Sequence, residues 1–263
     1  MSGTPPNLDG PGNGDAAFGY RTVAAAEKPA LVRGVFDSVA GRYDLMNDLM
    51  SAGIHRLWKA AMVDWLHPRP GQEFLDVAGG TGDIATRILE RLGPDALRQE
   101  SRVTVCDATP RMLVVGRDRS IDRGILGNLQ WVGGIAEALP FPDRRFDAYT
   151  IAFGLRNVTH LDAALAEARR VLKPGGRFLC LEFSHVTLAP LASLYDLYSF
   201  RVLPALGDIV VRDRAAYQYL VESIRRFPAQ AELVQRIEAA GLGQVRFRNL
   251  TGGVAALHSA WRI

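Results

Sequence analysis

The stretch FLDVAGGTGDIA, Phe74 to Ala85, runs an apolar strand into a glycine turn and on toward a helix. Gly80, Gly82 and Ala85 match the G-x-G-x-x-G/A spacing that brings a dinucleotide pyrophosphate to the backbone at a helix N-terminus. Such a site relies on backbone N–H groups and the helix dipole to neutralise phosphate, so a carboxylate at the helix start opposes it. Asp83 stands at that start, and Asp76 precedes the loop. Read as Asp76-x-Ala78-x-Gly80-x-Gly82, the same residues form an acidic-x-small-x-Gly-x-Gly pattern suited to a cationic ligand without phosphate, its glycines admitting that ligand close to the backbone.

Outward from this loop, apolar runs alternate with helical patterns. RVTVCD, LQWVG, FDAYTIAF and RFLCLEF read as four further strands, with a helix from about Gly82 to Leu92, one opening at Pro110 and one from Leu161 to Leu172. The turn KPGG precedes the last of these strands. This alternation predicts a parallel, doubly wound sheet. At the C-terminus, QVRFRNLTGGVAALHSAWRI reads as two strands joined around Thr251-Gly252-Gly253, an antiparallel hairpin at the sheet edge. The fold class expected is therefore α/β: a mainly parallel, seven-stranded, Rossmann-like sheet closed by an antiparallel hairpin, as in class I S-adenosylmethionine (SAM) dependent methyltransferases.

The charge of the loop agrees with that class. SAM carries a sulfonium and an ammonium, both favoured by nearby carboxylates, so Asp76 and Asp83 become assets. Asp107 ends the strand RVTVCD, where an acidic residue meets ribose hydroxyls in either ligand class; its plainer reading is a cap before Thr109-Pro110. The plainer reading of the glycines is a tight turn with no ligand.

The rest of the chain bounds the answer. At 263 residues and 48% apolar content it can bury a large core in one α/β domain. The formal charge of +3 comes from arginines spread along the whole chain, with no basic cluster interleaved with aromatics, so no nucleic-acid partner is expected. Cys106 and Cys180 fall in apolar runs and read as buried thiols. No basic-then-apolar leader and no long uncharged apolar run occurs, which suggests a cytoplasmic protein, at most resting on the inner face of a membrane. Residues 1–17 are rich in Gly, Pro, Asn and Asp and read as a disordered tail before a single domain over 18–263. Within it, 28–66 form an N-terminal helical cap broken at Gly41 and Gly53, and 185–241 form a helical insertion near the substrate site.

Several stretches in order, VFDSVAGRYDLMNDLMSAGIHRLWK, LDVAGGTGD, AEALPFPD, AFGLRNV, RVLKPGG, LEFS, YDLYSFRVLPALG, YLVESIRRFPAQ and NLTGGVAALH, resemble the ubiquinone/menaquinone biosynthesis C-methyltransferases over nearly the whole ordered length. LKPGG alone is generic to methyltransferases; RYDLMNDLMS with FGLRNV and NLTGG is specific. The resemblance implies methyl transfer from SAM to a ring carbon of a polyprenylated benzoquinol or demethylmenaquinol. It also implies cofactor contacts at Thr81, at Asp107 and at the pair before EALPFPD. The family commonly has Asn or Asp then Ala at that pair; this chain has Ile135 and Ala136, which leaves only the backbone to meet adenine there. Ala152 likewise stands where a serine is familiar. A lipid-tailed substrate further implies peripheral membrane contact, and a quinone-biosynthesis complex or a homodimer is compatible with it.

Ring-carbon methylation needs phenolate character at a quinol oxygen and in-line alignment with sulfur. FGLRNV follows a strand at its C-terminal end, where open α/β sheets place ligands, so Arg156 and Asn157 are expected to face the substrate. Arginine stays protonated, which assigns Arg156 to stabilising the quinolate oxygen or orienting a water and Asn157 to fixing a ring hydroxyl. The plainer reading of Arg156 is an ion pair with a local carboxylate. Tyr43 is expected to cover the site from the helical cap, and the aromatic segment Leu194–Leu206 to line a channel for the tail. His185 is a candidate proton acceptor; His55, His67 and His258 form no metal-ligand spacing, and no metal is predicted. Competing readings are a methyltransferase acting on another small phenolic or lipid, a nicotinamide oxidoreductase, and a non-catalytic assembly component.

Overall fold

Strands of the sheet are read from their burial. The middle of β6 (Phe146–Ala152) and the last six residues of β7 (Leu172–Phe183) are buried throughout, because helices cover both faces of the sheet. The computed structural model describes residues 14–39, 48, 51, 53–94, 100–125, 127–187 and 214–263. Before β6 come a short hairpin, β1 (Asp15–Phe18) and β2 (Arg21–Ala24), then α1 (Lys28–Val39), α2 (His55–Leu66) and β3 (Glu73–Val77). These lead to α3 (Asp83–Leu92), β4 (Arg102–Asp107), α4 (Pro110–Asp122) and β5 (Leu129–Gly133). A 3-10 turn (Leu155–Asn157) and α5 (Leu161–Val171) connect β6 to β7. Helices α6 (Arg214–Arg226) and α7 (Gln230–Ala239) and strands β8 (Gly243–Leu250) and β9 (Ala255–Trp261) complete the described chain.

The sheet order is β5-β4-β3-β6-β7-β9-β8, with the first five strands parallel and β9 antiparallel to both β7 and β8. The terminal hairpin does not simply add to the edge: its second strand inserts beside β7, and its first becomes the edge. The sequences explain the order. AALHSA in β9 is small and buried on both faces, whereas β8 leaves Arg246, Phe247 and Arg248 exposed, as charged edge strands do. Alternation along β7 splits the core, with Leu179 and Leu181 packed toward α2 and α3, and Phe178 and Cys180 toward α5 and α7. Cys106 and Cys180 are both buried, free thiols.

Two sequence expectations change. Residues 14–17 are not part of a disordered tail: Asp15–Phe18 pair with Arg21–Ala24, and Phe18 stacks on Tyr219 with ring centroids 4.3 Å apart. That docking gives the hairpin an apolar anchor that composition alone did not reveal. KPGG turns within β7 and not ahead of it, since Leu172 already pairs with Phe146 before the register shifts and Arg177 pairs with Ala148.

Gly82 has a packing reason. At φ 78° it caps α3, and a Cβ there would lie 2.6 Å from the Trp131 indole, which sits between Gly82 and Gly116. Gly82→Ala should therefore cost about 2–4 kcal/mol, combining left-handed strain with overpacking, and thermal unfolding checks it. Gly82→Ala with Trp131→Val should recover part of the loss.

Candidate active site

The loop after β3 is tied to the end of β4. Asp107 Oδ2 accepts the Gly80 N–H at 2.9 Å and Asp107 Oδ1 accepts the Thr109 N–H at 2.8 Å. Asp107 thus closes a local turn with Thr109 and does not cap the helix, since Thr109 is the N-cap of α4 and makes no side-chain capping bond; its carboxylate faces a cleft at the carboxyl ends of the strands. Burial pushes its carboxyl above the usual range, with the backbone N–H donors of Thr109 and Gly80 opposing that rise. Ala78, Gly80, Met112, Ile135, Ala136, Phe153 and Asn157 line the same cleft, and Val32 and Phe36 of α1 close its far side. About 830 Å³ of unfilled space lies along it, open solvent included. Gly154 lets the loops after β3 and β6 meet, because a Cβ there would be 2.4 Å from that of Ala78. Lys28 fastens α1 over this wall by donating to the Val158 carbonyl at 2.6 Å; burial draws its ammonium down to about 8, against the pull of Glu137.

Ala78 is also a wall of a smaller recess lined by Lys59, Asp76, Gly79, Thr81, Asp83, Ile84 and Ala152. Asp76 is 1% exposed; its Oδ1 accepts from the Thr150 hydroxyl at 2.8 Å, and its Oδ2 has no hydrogen-bond partner among the described residues. Burial pushes the Asp76 carboxyl up to about 7, with the Thr150 bond and Lys59 opposing. Asp83 behaves otherwise. Burial works against its charge, but Lys59 at 2.7 Å and Arg87 at 2.9 Å outweigh it and hold the carboxyl below the usual range. Its charge is therefore matched from within the protein, which corrects the expectation that Asp83 is offered to a ligand. Gly82 faces Trp131 and not the cleft, so the expected ligand contact at Gly82 is replaced by packing.

After β6 the chain turns at Leu155–Asn157. The Arg156 side chain is 1% exposed, with Nη1 donating to Glu182 Oε1 at 2.7 Å and to the Phe153 carbonyl at 2.5 Å. The expected contact of Arg156 with a substrate oxygen gives way to an internal ion pair. Glu182 is equally buried, and burial raises its carboxyl above the usual range despite Arg156 and two backbone donors. Asn157 does line the cleft: its Oδ1 accepts from the Tyr219 hydroxyl at 3.0 Å and its Nδ2 approaches the Phe153 carbonyl at 3.4 Å. His185 spends Nε2 on the Phe227 carbonyl at 3.0 Å, so that nitrogen is a donor and not a proton acceptor. Tyr43 and the segment Leu194–Leu206 lie outside the described residues.

The residues that sequence reasoning missed are Lys59, Glu182 and Tyr219. Lys59 carried a signal, since the buried positions of α2 are His55, Trp58, Lys59, Met62, Val63 and Leu66, and a lysine there occupies the core stripe. Glu182 is likewise a lone carboxylate within an apolar strand.

A parallel sheet closed by an inserted antiparallel strand, with an acidic residue at the end of its second parallel strand beside a glycine loop, defines the SAM-dependent methyltransferase fold. Solved structures agree: a SAM-dependent methyltransferase of Thermotoga maritima aligns with TM-score 0.60 at 17% identity, covering 88% of this chain and 100% of that one. Phosphoethanolamine N-methyltransferase 2 of Haemonchus contortus aligns with TM-score 0.54 at 15% identity, covering 78% and 52%. The model of the ubiE/COQ5 methyltransferase family matches residues 22–262, and the chain belongs to that family. It is 59% identical over 246 residues to the ubiquinone/menaquinone biosynthesis C-methyltransferase UbiE of Paracoccus denitrificans, covering 94% of this chain and 96% of the relative. Identity to the protein of the same name from Brucella abortus is 56%, covering 96% and 93%.

The raised Asp76 carboxyl makes a stability prediction. Its folded value of about 7 exceeds its ordinary value of 3.8, so the protonated form favours folding and stability falls as pH rises between those values. Asp76→Asn does not titrate. The ligand-free variant should therefore gain on the wild type from pH 4 to pH 8 by on the order of 3 kcal/mol, measured by denaturant unfolding. Parallel pH profiles would refute it.

Proposed function

We propose that this chain transfers the methyl group of SAM to a ring carbon of a polyprenylated benzoquinol or of demethylmenaquinol. The observation that carries the reading is full-length similarity to curated C-methyltransferases together with Asn157 on the cleft wall, held by Tyr219. Bound SAM supplies an electrophilic methyl on a sulfonium. The residues present fit it: Asp107 retains lone pairs for ribose hydroxyls, Ile135 and Ala136 offer backbone to the base, and the unpartnered Asp76 Oδ2 suits an ammonium. Gly80 and Thr81 frame the passage between, and Gly82 and Asp83 support that loop from behind.

Toward the quinol, Asn157 is the group that can touch a ring oxygen. Tyr219 donates to Asn157 Oδ1, which orients the amide and leaves an Nδ2 hydrogen for the substrate. Burial lifts the Tyr219 hydroxyl to about 12, so it stays a donor and is not the base. Arg156 serves as a positioning residue, locking the turn against Glu182. Apolar Val32 and Phe36 shield the cleft from water, which strengthens these dipoles. Tyr43 is assigned a covering role from its place in the N-terminal helical cap of the sequence. The polyprenyl tail places the work at a membrane surface by peripheral contact, and no described helix is long and apolar enough to cross a membrane.

Transfer of labelled methyl from SAM to demethylmenaquinol and to the methoxybenzoquinol should proceed with at least one ring, and label in neither would overturn the reading. Tyr219→Phe should lower kcat about 10-fold while SAM affinity stays within about twofold, because only the orientation of Asn157 is lost. Unchanged turnover would remove Tyr219 and Asn157 from the mechanism.

A further inference from the structure

Three groups of the N-terminal hairpin land on one helix. Among the described strands β1 and β2 pair with each other alone, and a lone two-stranded hairpin has little stability of its own. Its order therefore comes from what it docks on. Phe18 stacks on Tyr219 at an interplanar angle of 21°, the Tyr20 N–H donates to Glu222 Oε2 at 2.9 Å, and Arg226 Nη1 donates to the Gly19 carbonyl at 3.2 Å. The spacing of Tyr219, Glu222 and Arg226 puts all three on one face of α6. Gly19 permits the fit, because at φ 58° a Cβ there would run into the Glu222 carboxylate.

Tyr219 carries this contact onward to the site. Ala17 and Gly19 of the hairpin and Leu155 and Arg156 of the turn after β6 wall a common space, and Tyr219 is the wall residue joined to both sides. Phe18 covers its ring, and its hydroxyl donates to Asn157 Oδ1 at 3.0 Å. A ring lying flat on Tyr219 bars it from swinging toward the hairpin; because a phenolic O–H lies in the plane of its ring, the stack also sets where that proton points. From the other side, Lys28 at the start of α1 donates to the carbonyl of Val158, the next residue of the turn. Residues 15–28 thus grip the turn twice.

We propose that Phe18 is a positioning residue for methyl transfer: by holding Tyr219 it fixes the Asn157 amide that meets the quinol oxygen. The hairpin thereby makes turnover depend on an N-terminal segment that lies outside the main sheet. Donor binding is spared, because Phe18 lines neither the main cleft nor the recess beside Asp76. This role rests on the quinol reading, and the test separates the two.

The test is a kinetic double-mutant cycle on the full chain, with SAM and whichever quinol ring the wild type methylates. Phe18→Leu keeps apolar bulk on α6 but removes the stacked ring. It should lower kcat about 3- to 10-fold, the worth of an aromatic pair. Quinol KM and the calorimetric affinity for S-adenosylhomocysteine should stay within about twofold, and the latter also reports that the variant is folded. Phe18→Tyr, which keeps a ring face, should restore most of the rate. In a Tyr219→Phe background the hydroxyl is already gone, so Phe18→Leu should cost less than about 1.5-fold more. Unchanged kcat in Phe18→Leu, the same fold loss in both backgrounds, or a weakened S-adenosylhomocysteine affinity that matches the loss would overturn the role of Phe18. A wild type that methylates neither ring would overturn the quinol reading, and that role with it.

Discussion

The pair of buried Lys59 and half-buried Asp83 joins the N-terminal helices to the glycine loop, and the layout of the site depends on that joint. Asp83 opens α3, where the helix dipole already favours a negative charge, and Lys59 reaches it from α2. Losing Asp83 would strand the Lys59 ammonium inside the protein, so the geometry is strongly specified. From the same helix Trp58 donates to the Thr251 hydroxyl at 2.9 Å and packs edge-on to Phe183 at 5.9 Å. One helix therefore reaches the loop after β3, the end of β7 and the turn of the C-terminal hairpin.

A fully buried pair governs the substrate side. Arg156 belongs to the turn after β6, Glu182 to β7 and Tyr219 to α6, and Asn157 is placed where the three converge. The carboxylate stays deep in the protein because Arg156 and two backbone N–H groups meet it together. Asn157, on the cleft wall, is thus positioned by residues that do not line it.

Much of this was readable from the chain. The glycine loop, the alternation of apolar strands with helices, Asp107 at the end of β4 and the closing hairpin all depend on local spacing. Strands buried on both faces read as continuous apolar runs, and Pro110 and Gly82 mark helix starts by their backbone preferences. What the chain concealed were partners. Asp83 looked available because Lys59 lies 24 residues away, and Arg156 looked free because Glu182 lies 26 residues away. Gly82 looked like a ligand contact because nothing local announces Trp131.

By itself, then, the sequence determined the fold class, the family and the chemical character of the loop, because backbone preference, burial pattern and motif spacing are properties of neighbouring residues. Tertiary structure alone decided which charges are spent and which remain. Asp83 and Arg156 are matched internally while Oδ2 of Asp76 is not, and that distinction depends on which helix or strand packing brings within 3 Å of each charge.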